Sequence, residues 1–379
     1  MGDRLCPACA SAVAAGDAYC EACGQDLASE AAAGPDPGPA AGPDAGPGPA
    51  APGPAAPGPA AVARPAGVWL TSADTPEACP ACGAREFGPE GYCEACGQRR
   101  GSAADHTELD LGTLAAVTDR GLRHHRNEDA VGIGTVGDRL VAVVCDGVSS
   151  SVRPDAASTG AAAAATAALI DALSRQQSPV DAIVAATRAA QAAATLAAGA
   201  EPGSNPPAST FVCAVVADDA ITVGWVGDSR AYWLPDHPAD GGGSAATCLT
   251  VDDTVAARYG ADLSVLASGE SLVRWLGADA PDTTPHLRSF TPSGPGRLLV
   301  CSDGLYKYRP DADQLAALAP RDAPLPTAAA LVRFALDCGG ADNITVALLP
   351  FPPDPAVTVP ADQAATVRAR DSKEVDQDE

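Results

Sequence analysis

The sequence predicts an α+β fold for the middle of the chain, residues 110–351, and two observations support this prediction. Short apolar runs with the length and composition of β-strands recur through the region. Two long helical patterns follow one another between pairs of these runs, whereas a βαβ fold would separate them by a strand. We therefore expect helices packed on antiparallel sheets. The predicted strands are 113–118, 140–145, 209–217, 221–226, 231–234, 297–301 and 344–349, and the predicted helices are 154–173, 179–198, 312–318 and 326–337.

The chain begins with a cysteine-rich unit, residues 1–28, that returns at residues 76–100. Each unit has two C-x-x-C pairs with ten residues between them, and the second unit repeats the first 73 positions later. Four thiolates at this spacing can surround one tetrahedral Zn²⁺ ion, and a unit this short needs a metal to fold. The predicted ligands of the two structural zinc ions are Cys6, Cys9, Cys20 and Cys23, then Cys79, Cys82, Cys93 and Cys96.

Disulfides and redox pairs are the alternatives to zinc. The N-terminus lacks the apolar core of an export signal, which argues against disulfides, and a redox C-x-x-C needs a βαβ context that is absent here. Each unit resembles the bacterial zinc ribbons, with their CPxC…CxxCG pattern. Such ribbons are often interaction modules, and the lack of a basic cluster favours a protein partner over nucleic acid.

The segment between the ribbons, residues 29–75, is predicted to be a disordered linker, because residues 31–67 are almost entirely Ala, Gly and Pro. The polar, acidic tail at 352–379 is predicted to be disordered as well. The segment 156–173 is rich in Ala but carries Ser158, Thr159, Thr166 and Asp171, so we interpret it as a buried or half-buried helix and not as a membrane span.

The formal net charge of −24 argues against a nucleic-acid-binding surface, because phosphate neutralisation needs Lys and Arg. No run of 18 apolar residues and no signal peptide is evident, so we expect a cytoplasmic protein with no membrane association.

Carboxylates stand repeatedly at the ends of the apolar runs. Asp146 follows the run 141–145, Asp228 follows 221–227, and Asp303 follows 298–302. Asp342 and the pair Glu128-Asp129 each precede another such run. One Asp-Gly after a strand is an ordinary turn, but several carboxylates meeting at one point would bind hard divalent cations.

These motifs, in their order along the chain, resemble those of the metal-dependent type 2C (PPM) serine/threonine protein phosphatases. The resemblance spans residues 112–350. The matching stretches are Thr118-Asp119-Arg120-Gly121 with Asn127-Glu128-Asp129, Asp146-Gly147, Gly227-Asp228-Ser229-Arg230, Ser302-Asp303-Gly304 and Asp342-Asn343. The resemblance implies an αββα sandwich, in which two antiparallel sheets are flanked by helices and the metal site lies at one end.

The resemblance also implies two Mn²⁺ or Mg²⁺ ions, with Asp146 as the bridging ligand. Asp303 and Asp342 would complete the shell of one ion, while Glu128 and the carbonyl of Gly147 would serve the other. Asp129 would be a direct or an indirect ligand, and Asp228 together with Asp303 would bind a third, weaker ion. A bridging water of lowered pKa would then attack phosphorus without a phosphoenzyme.

The sequence departs from the family pattern in two places. The family usually has an Arg four residues before the Glu of its first motif, where this chain has His124. Arg123 and Arg126 are beside it, so one of these three residues would contact the phosphate or donate a proton. Many relatives also have a His shortly after the second motif, a candidate general acid, where this chain has Val148 and three serines. A metal-bound water or His124 would then donate the proton.

The resulting hypothesis is metal-dependent hydrolysis of phosphoserine and phosphothreonine in proteins, with the ribbons for docking or regulation. The substrates would be phosphorylated proteins, themselves products of serine/threonine kinases. The alternative hypothesis is a non-catalytic scaffold that binds phosphoproteins, which the missing Arg and His motivate and the intact set of carboxylates opposes.

Overall fold

The computed structural model describes residues 4–5, 12–13, 67–72, 84, 86, 94–96, 105–200, 203–217, 219–236, 245–260, 270–353 and 366–369. The chain divides into two compact units, Met1–Arg64 and Pro65–Glu379. In the smaller unit, β1 (Arg4–Leu5) pairs antiparallel with β2 (Ala12–Val13). Of the eight predicted zinc ligands only Cys96 is among the described residues, so both predicted zinc sites lie outside them.

The larger unit is built on two antiparallel sheets. The first has six strands, which in spatial order are β14 (His286–Phe290), β10 (Ala220–Val226), β9 (Phe211–Ala217), β7 (Arg139–Asp146), β6 (Asp129–Val136) and β3 (Val68–Thr71). The second has seven, which are β12 (Thr247–Cys248), β11 (Arg230–Pro235), β15 (Gly296–Cys301), β16 (Ile344–Phe351), β5 (Ala115–Asp119), β4 (His106–Asp110) and β17 (Thr366–Ala369). A short pair, β8 (Ala208–Ser209) and β13 (Leu276–Gly277), stands beside them.

Helices cover the outer face of each sheet. The pair α1 (Pro154–Ser174) and α2 (Pro179–Ala197) packs on the six-stranded sheet, and α4 (Asp303–Tyr306), α5 (Ala312–Leu318) and α6 (Pro324–Asp337) pack on the seven-stranded one. A further short helix, α3 (Val255–Tyr259), follows β12. This is the αββα sandwich that the sequence predicted, so the predicted fold is confirmed.

Successive apolar side chains of the central strands point to opposite faces of their sheet, and this alternation explains why helices and a second sheet pack on either side. In β7, Val141 and Val143 face α1 and α2, while Leu140, Ala142 and Val144 face the opposite sheet. The same alternation occurs in β15 and β16, so these strands are apolar on both faces. Three apolar cores result, one between the sheets and one under each layer of helices. They hold the strand ends, where the acidic motifs lie, in fixed positions.

Helix α1 is long and apolar enough to cross a membrane by length and composition. In the structure it is a core helix, because Ala161, Ala165 and Leu169 are fully buried against the six-stranded sheet and α2. Helix α2 begins at a serine cap, where Ser178 Oγ accepts a hydrogen bond from the Asp181 amide at 3.1 Å.

Three predicted boundaries differ from the described strands, and most residues of the predicted linker and tail lie outside the described residues. The linker predicted at 29–75 contains β3, whose residues pair with β6 from Val68↔Thr135 to Thr71↔Gly132. The tail predicted at 352–379 contains β17, which pairs with β4. The larger unit also includes β4, which starts before the predicted boundary at residue 110. Strands β3 and β17 gain their hydrogen bonds from strands distant in sequence, which local composition does not reveal. Strand β4 forms a hairpin with the adjacent β5.

Candidate active site and metal centre

Four of the predicted metal-binding acids line one cleft at an end of the sandwich. The cleft has a volume of about 540 Å³, and its walls include Asp146, Asp228, Asp303 and Asp342. Gly147, Ser149, Glu270, Trp275 and Lys307 line it as well. The acids come from the end of β7, the turn before β11, the start of α4 and the turn before β16. Segments almost 200 residues apart in sequence therefore present carboxylates to one space.

Asp129 and Asp146 stand directly opposite each other where β6 and β7 meet the cleft. Like charges in facing positions of a β-ladder are destabilising. Asp129 is buried, and its Oδ2 accepts hydrogen bonds from the hydroxyls of Ser302 and Thr345, both at 2.7 Å. Its other oxygen, Oδ1, is buried without a hydrogen-bond partner. A cation between the two acids would satisfy this oxygen and remove the repulsion.

Burial and mutual repulsion make the ionised state of these acids unfavourable in the absence of a cation. Burial raises the pKa of Asp146 well above its usual range, and the charges of Asp129 and Asp303 add to this effect. Burial also raises the pKa of Asp129 to about 7 and that of Asp228 to about 8. Carboxylates in this condition gain most from a bound divalent ion, since it stabilises their charged form.

Asp303 divides its two oxygens between different environments. Oδ2 lies 2.6 Å from the Lys307 ammonium, which in turn lies 3.7 Å from Glu270 Oε2. Oδ1 is buried and has no hydrogen-bond partner. Burial raises the pKa of Asp303, as does the charge of Asp342, while the charge of Lys307 lowers it. One oxygen of Asp303 is therefore available to a metal ion.

Glu128 is held by neighbours on both carboxylate oxygens. Arg126 Nε donates to Oε1 at 3.1 Å, and Ser149 Oγ donates to Oε2 at 2.8 Å. Its side chain is buried, whereas that of Arg126 is half exposed and also reaches Asp155 at 3.5 Å. Glu128 is not among the described residues that line the cleft, which suits a ligand acting through water.

The three basic candidates for phosphate contact lie on the turn between β5 and β6. His124 Nε2 is 3.2 Å from Asp342 Oδ1, so its imidazole reaches one of the cleft acids. Arg126 contacts Glu128, and Arg123 is exposed on the same turn. None of the three is among the described lining residues.

Two glycines let the motifs approach one another. A Cβ on Gly147 would lie 2.6 Å from the Glu128 carbonyl oxygen, and a Cβ on Gly304 would lie 2.0 Å from that of Asn343. Real Cβ atoms essentially never come this close, so no other residue fits there without a shift of the backbone. The Asp-Gly pairs of this chain are therefore required for contact between motifs and are not only turn signals.

Asn343 binds the first motif to the last. Its Oδ1 accepts a hydrogen bond from the Glu128 amide at 2.8 Å, and its Nδ2 donates to the carbonyls of Arg120 and Arg126 at 2.7 and 3.1 Å. This side chain thus fixes the turn that carries His124 and Glu128. The sequence analysis noted Asn343 only as the residue that follows Asp342 in a motif. That position, an amide side chain directly after an acid of the motif, is the one sequence signal of its role.

Lys307 and Ser149 were also missed by the sequence analysis. Lys307 lies four residues after Asp303, the spacing of an ion pair on a helix, but a four-residue helix has no periodicity to reveal it. Ser149 was noted only as one of the residues that occupy the place of the expected histidine.

The donor set fits divalent ions, although it is not closed around them. Among the described residues, no three carboxylate, imidazole or thiolate groups already surround one point as metal ligands do. The two buried, unpartnered oxygens, Asp129 Oδ1 and Asp303 Oδ1, are the observation that supports the fit. Hard oxygen donors of this kind select Mg²⁺ or Mn²⁺ over softer metals.

Solved structures similar to this chain include bacterial phosphatases. A bacterial serine phosphatase has 21% sequence identity and a TM-score of 0.54, covering 64% of this chain and 98% of its own. The serine/threonine phosphatase Stp1 from Staphylococcus aureus has 20% identity and a TM-score of 0.52, covering 62% and 93%. The PPM Ser-Thr phosphatase MsPP from Mycobacterium smegmatis, solved in complex with cacodylate, has 25% identity and a TM-score of 0.50, covering 62% and 96%.

Sequence comparison gives the same result for the family. No curated protein sequence matches the chain. The double zinc ribbon model matches residues 6–97, which include all eight predicted zinc ligands. The protein phosphatase 2C model matches residues 121–344, more than half of the 379 residues and every acid of the cleft. The chain therefore belongs to the protein phosphatase 2C family and is a protein serine/threonine phosphatase.

Proposed function

We propose that this chain hydrolyses phosphoserine and phosphothreonine in proteins at a centre of two Mn²⁺ or Mg²⁺ ions, without a phosphoenzyme. The observation that supports the centre is a cleft lined by four of the predicted metal-binding acids, with unpartnered carboxylate oxygens buried beside it. Asp146 would bridge the ions, Asp303 and Asp342 would complete one shell, and Glu128, Asp129 and the Gly147 carbonyl would serve the other. When bound, the ions would lower the pKa of a water and neutralise charge on the phosphoryl oxygens.

The protein's own contribution is rigid placement of charge. Strand ends fixed by three apolar cores hold the carboxylates, so they need not reorganise when the transition state forms. Ser302 and Thr345 orient Asp129 through its Oδ2, which leaves Oδ1 directed elsewhere. Ser149 and Arg126 orient Glu128 in the same way.

We assign phosphate contact to Arg126 and proton donation to His124, while Arg123 remains on the same turn as a candidate. The Arg126 guanidinium is half exposed and can leave Asp155 to meet a phosphoryl oxygen, with the charge that the usual family Arg would supply. The imidazole of His124 is partly exposed and lies beside Asp342, where a leaving hydroxyl of the substrate would receive its proton.

These two roles predict different kinetic effects. Arg126→Ala should raise KM for a phosphothreonine peptide, because binding of the phosphate is lost. His124→Gln should lower kcat with little change in KM, because the leaving hydroxyl loses its proton donor. Arg175→Ala is the matched control, since Arg175 pairs with Asp171 at the far end of α1. Unchanged KM in the first variant or unchanged kcat in the second would refute the respective assignment.

The decisive experiment for the centre uses the full chain and a phosphothreonine peptide. Activity should require Mn²⁺ or Mg²⁺, stop with EDTA and return with Mn²⁺ alone. Asp146→Ala and Asp303→Ala should each abolish it, while Asp138→Ala, on the exposed turn between β6 and β7, should not. Persistent activity in either of the first two variants would refute the assignment of the ligands. Absence of turnover under all metals would favour the non-catalytic phosphoprotein scaffold.

We further propose that the eight N-terminal cysteines bind two structural zinc ions, and that the ribbons dock a protein partner or a substrate in the cytoplasm. The double zinc ribbon match supports this proposal. Replacing the eight predicted zinc ligands by serine keeps β3 in the six-stranded sheet. This variant should hydrolyse a short peptide as wild type does but show reduced selectivity among phosphoproteins in a competition assay. Unchanged selectivity would refute the docking role.

A further inference from the structure

The acidic cleft contains a positively charged side chain that the proposed dimetal centre does not use. Lys307 is the one basic side chain among the described residues that line the cleft, where all other charged groups are acids. The whole chain has only two lysines, Lys307 and Lys373, against 22 arginines. A compact ammonium on a flexible stem acts as a point charge, which a planar guanidinium does not.

The geometry places this ammonium on Asp303. Lys307 follows α4 directly, and its Nζ lies 2.6 Å from Asp303 Oδ2. The remaining oxygen, Oδ1, is buried without a hydrogen-bond partner. Where two ions each take their own oxygen of a carboxylate, both oxygens must be free. Asp303 has one free oxygen, because the ammonium occupies the other.

Lys307 also lies close to Asp228. Asp228, Asp303 and Lys307 line the same cleft, and the hydroxyl of Tyr306, the residue before Lys307, donates to the Asp228 carbonyl at 3.0 Å. The ammonium therefore lies among the two carboxylates for which the family resemblance implies a third, weaker metal ion. A divalent ion entering between them would face the positive charge of the ammonium.

We propose that the ammonium of Lys307 is a built-in cation on the Asp228 side of the cleft, so that this phosphatase binds two divalent ions and not three. The inference rests on the dimetal centre proposed above. In this scheme Asp228 lies beside the Lys307 ammonium and binds no divalent ion. Asp146, Asp303 Oδ1 and Asp342 remain as ligands of the two divalent ions. Lys307 is a positioning residue in this scheme, since it acts through Asp303 and Asp228.

The test counts Mn²⁺ ions bound to the full chain, by electron paramagnetic resonance of free Mn²⁺ during titration into the millimolar range. Wild type should bind two ions. Lys307→Met, which keeps length and removes charge, should bind three, and Lys307→Met combined with Asp228→Asn should return to two. Lys307→Arg keeps the charge and should bind two. Circular dichroism confirms that each variant is folded.

A second variant gives an answer even if Lys307→Met fails to fold. Asp228→Asn alone should leave the wild-type count at two, because no ion depends on Asp228. Three ions on wild type, or a fall in the count on Asp228→Asn, would overturn the inference and leave the dimetal centre standing. A count of two for folded Lys307→Met would also overturn it. Fewer than two ions on wild type would refute the dimetal centre itself, and this inference with it.

Discussion

Replacing His106 should remove a pH-dependent part of the folding stability at one edge of the seven-stranded sheet. His106 stands opposite Asp119 in the β4–β5 ladder, and its Nδ1 lies 2.6 Å from Asp119 Oδ2. Its Nε2 lies 3.5 Å from Glu108 Oε1, and Glu108 is buried. Asp119 also accepts the Gly121 amide at 2.7 Å, so this cluster anchors the start of the turn that carries His124.

The size of the effect follows from the pKa of the imidazole. Burial alone would lower the pKa of His106, but hydrogen bonds to Asp119 and Glu108 and their charges outweigh it and raise the pKa from 6.5 to about 9. With about 1.4 kcal/mol for each pKa unit, this rise corresponds to roughly 3 kcal/mol of stability. The folded state holds the proton more tightly than the unfolded state. The contribution is therefore complete below pH 6.5 and is lost as the pH rises through about 9.

The assay is urea-induced unfolding of wild type and His106→Gln at pH 6 and pH 10. Other groups titrate in this interval, so the quantity of interest is the difference between the two proteins in their loss of unfolding free energy. Wild type should lose roughly 3 kcal/mol more than the variant, because glutamine carries no proton to lose. His125→Gln, at an exposed position of the same turn, is the control. Equal losses in wild type and His106→Gln would refute the reasoning.

Three further substitutions test the contacts that close the site. Gly304→Ala should abolish most activity and lower the melting temperature, because its Cβ would lie 2.0 Å from the Asn343 carbonyl oxygen. Gly203→Ala is the control and should have no effect, because a Cβ there meets nothing within 4 Å. Asn343→Ala should lower the free energy of unfolding in urea by about 1–3 kcal/mol, because it leaves the buried Glu128 amide without its acceptor. A loss under about 0.5 kcal/mol would contradict the role of Asn343 in fixing the turn. Arg230→Lys should cost about 1 kcal/mol, because it loses one of the two bonds to Asp252, at 2.9 and 2.7 Å; a variant as stable as wild type would show that the second bond contributes nothing.

The central elements were predictable because local pattern and burial agree there. The helices predicted at 154–173 and 179–198 are observed at Pro154–Ser174 and Pro179–Ala197, since a proline starts each one and alanine favours the helix throughout. The strand predicted at 140–145 lies within Arg139–Asp146, because its residues are apolar on both faces. In such segments propensity, periodicity and tertiary packing all favour the same structure.

The edge strands were not predictable in the same way. In β14, His286–Phe290, four of five residues are exposed, so the segment lacks the apolar signature of a strand. Its backbone is nonetheless paired to β10 through five residues. Strand β3 lies at the end of a stretch of Ala, Gly and Pro whose composition indicates disorder. These strands exist because a distant partner supplies their hydrogen bonds, and single-sequence patterns carry little information about that partner.

Which acids belong together was predictable from their positions at strand ends, but how each is held was not. Hydroxyls from two other motifs hold Asp129, and an ammonium four residues away holds Asp303. Serine, threonine and a single lysine have no distinctive spacing in a sequence. Their role depends on the direction of one side chain, which only the folded structure supplies.

The cleft combines features that a fold selected only for stability would avoid. Two aspartates face each other across β6 and β7, and burial makes the charge of each unfavourable. The structure tolerates these aspartates because they lie at the ends of strands whose middle residues are buried on both faces. The apolar cores therefore stabilise the fold in spite of the repulsion. The same arrangement prevents the carboxylates from turning away into water. A bound cation would relieve this repulsion, so metal binding and folding stability would rise together at the proposed centre.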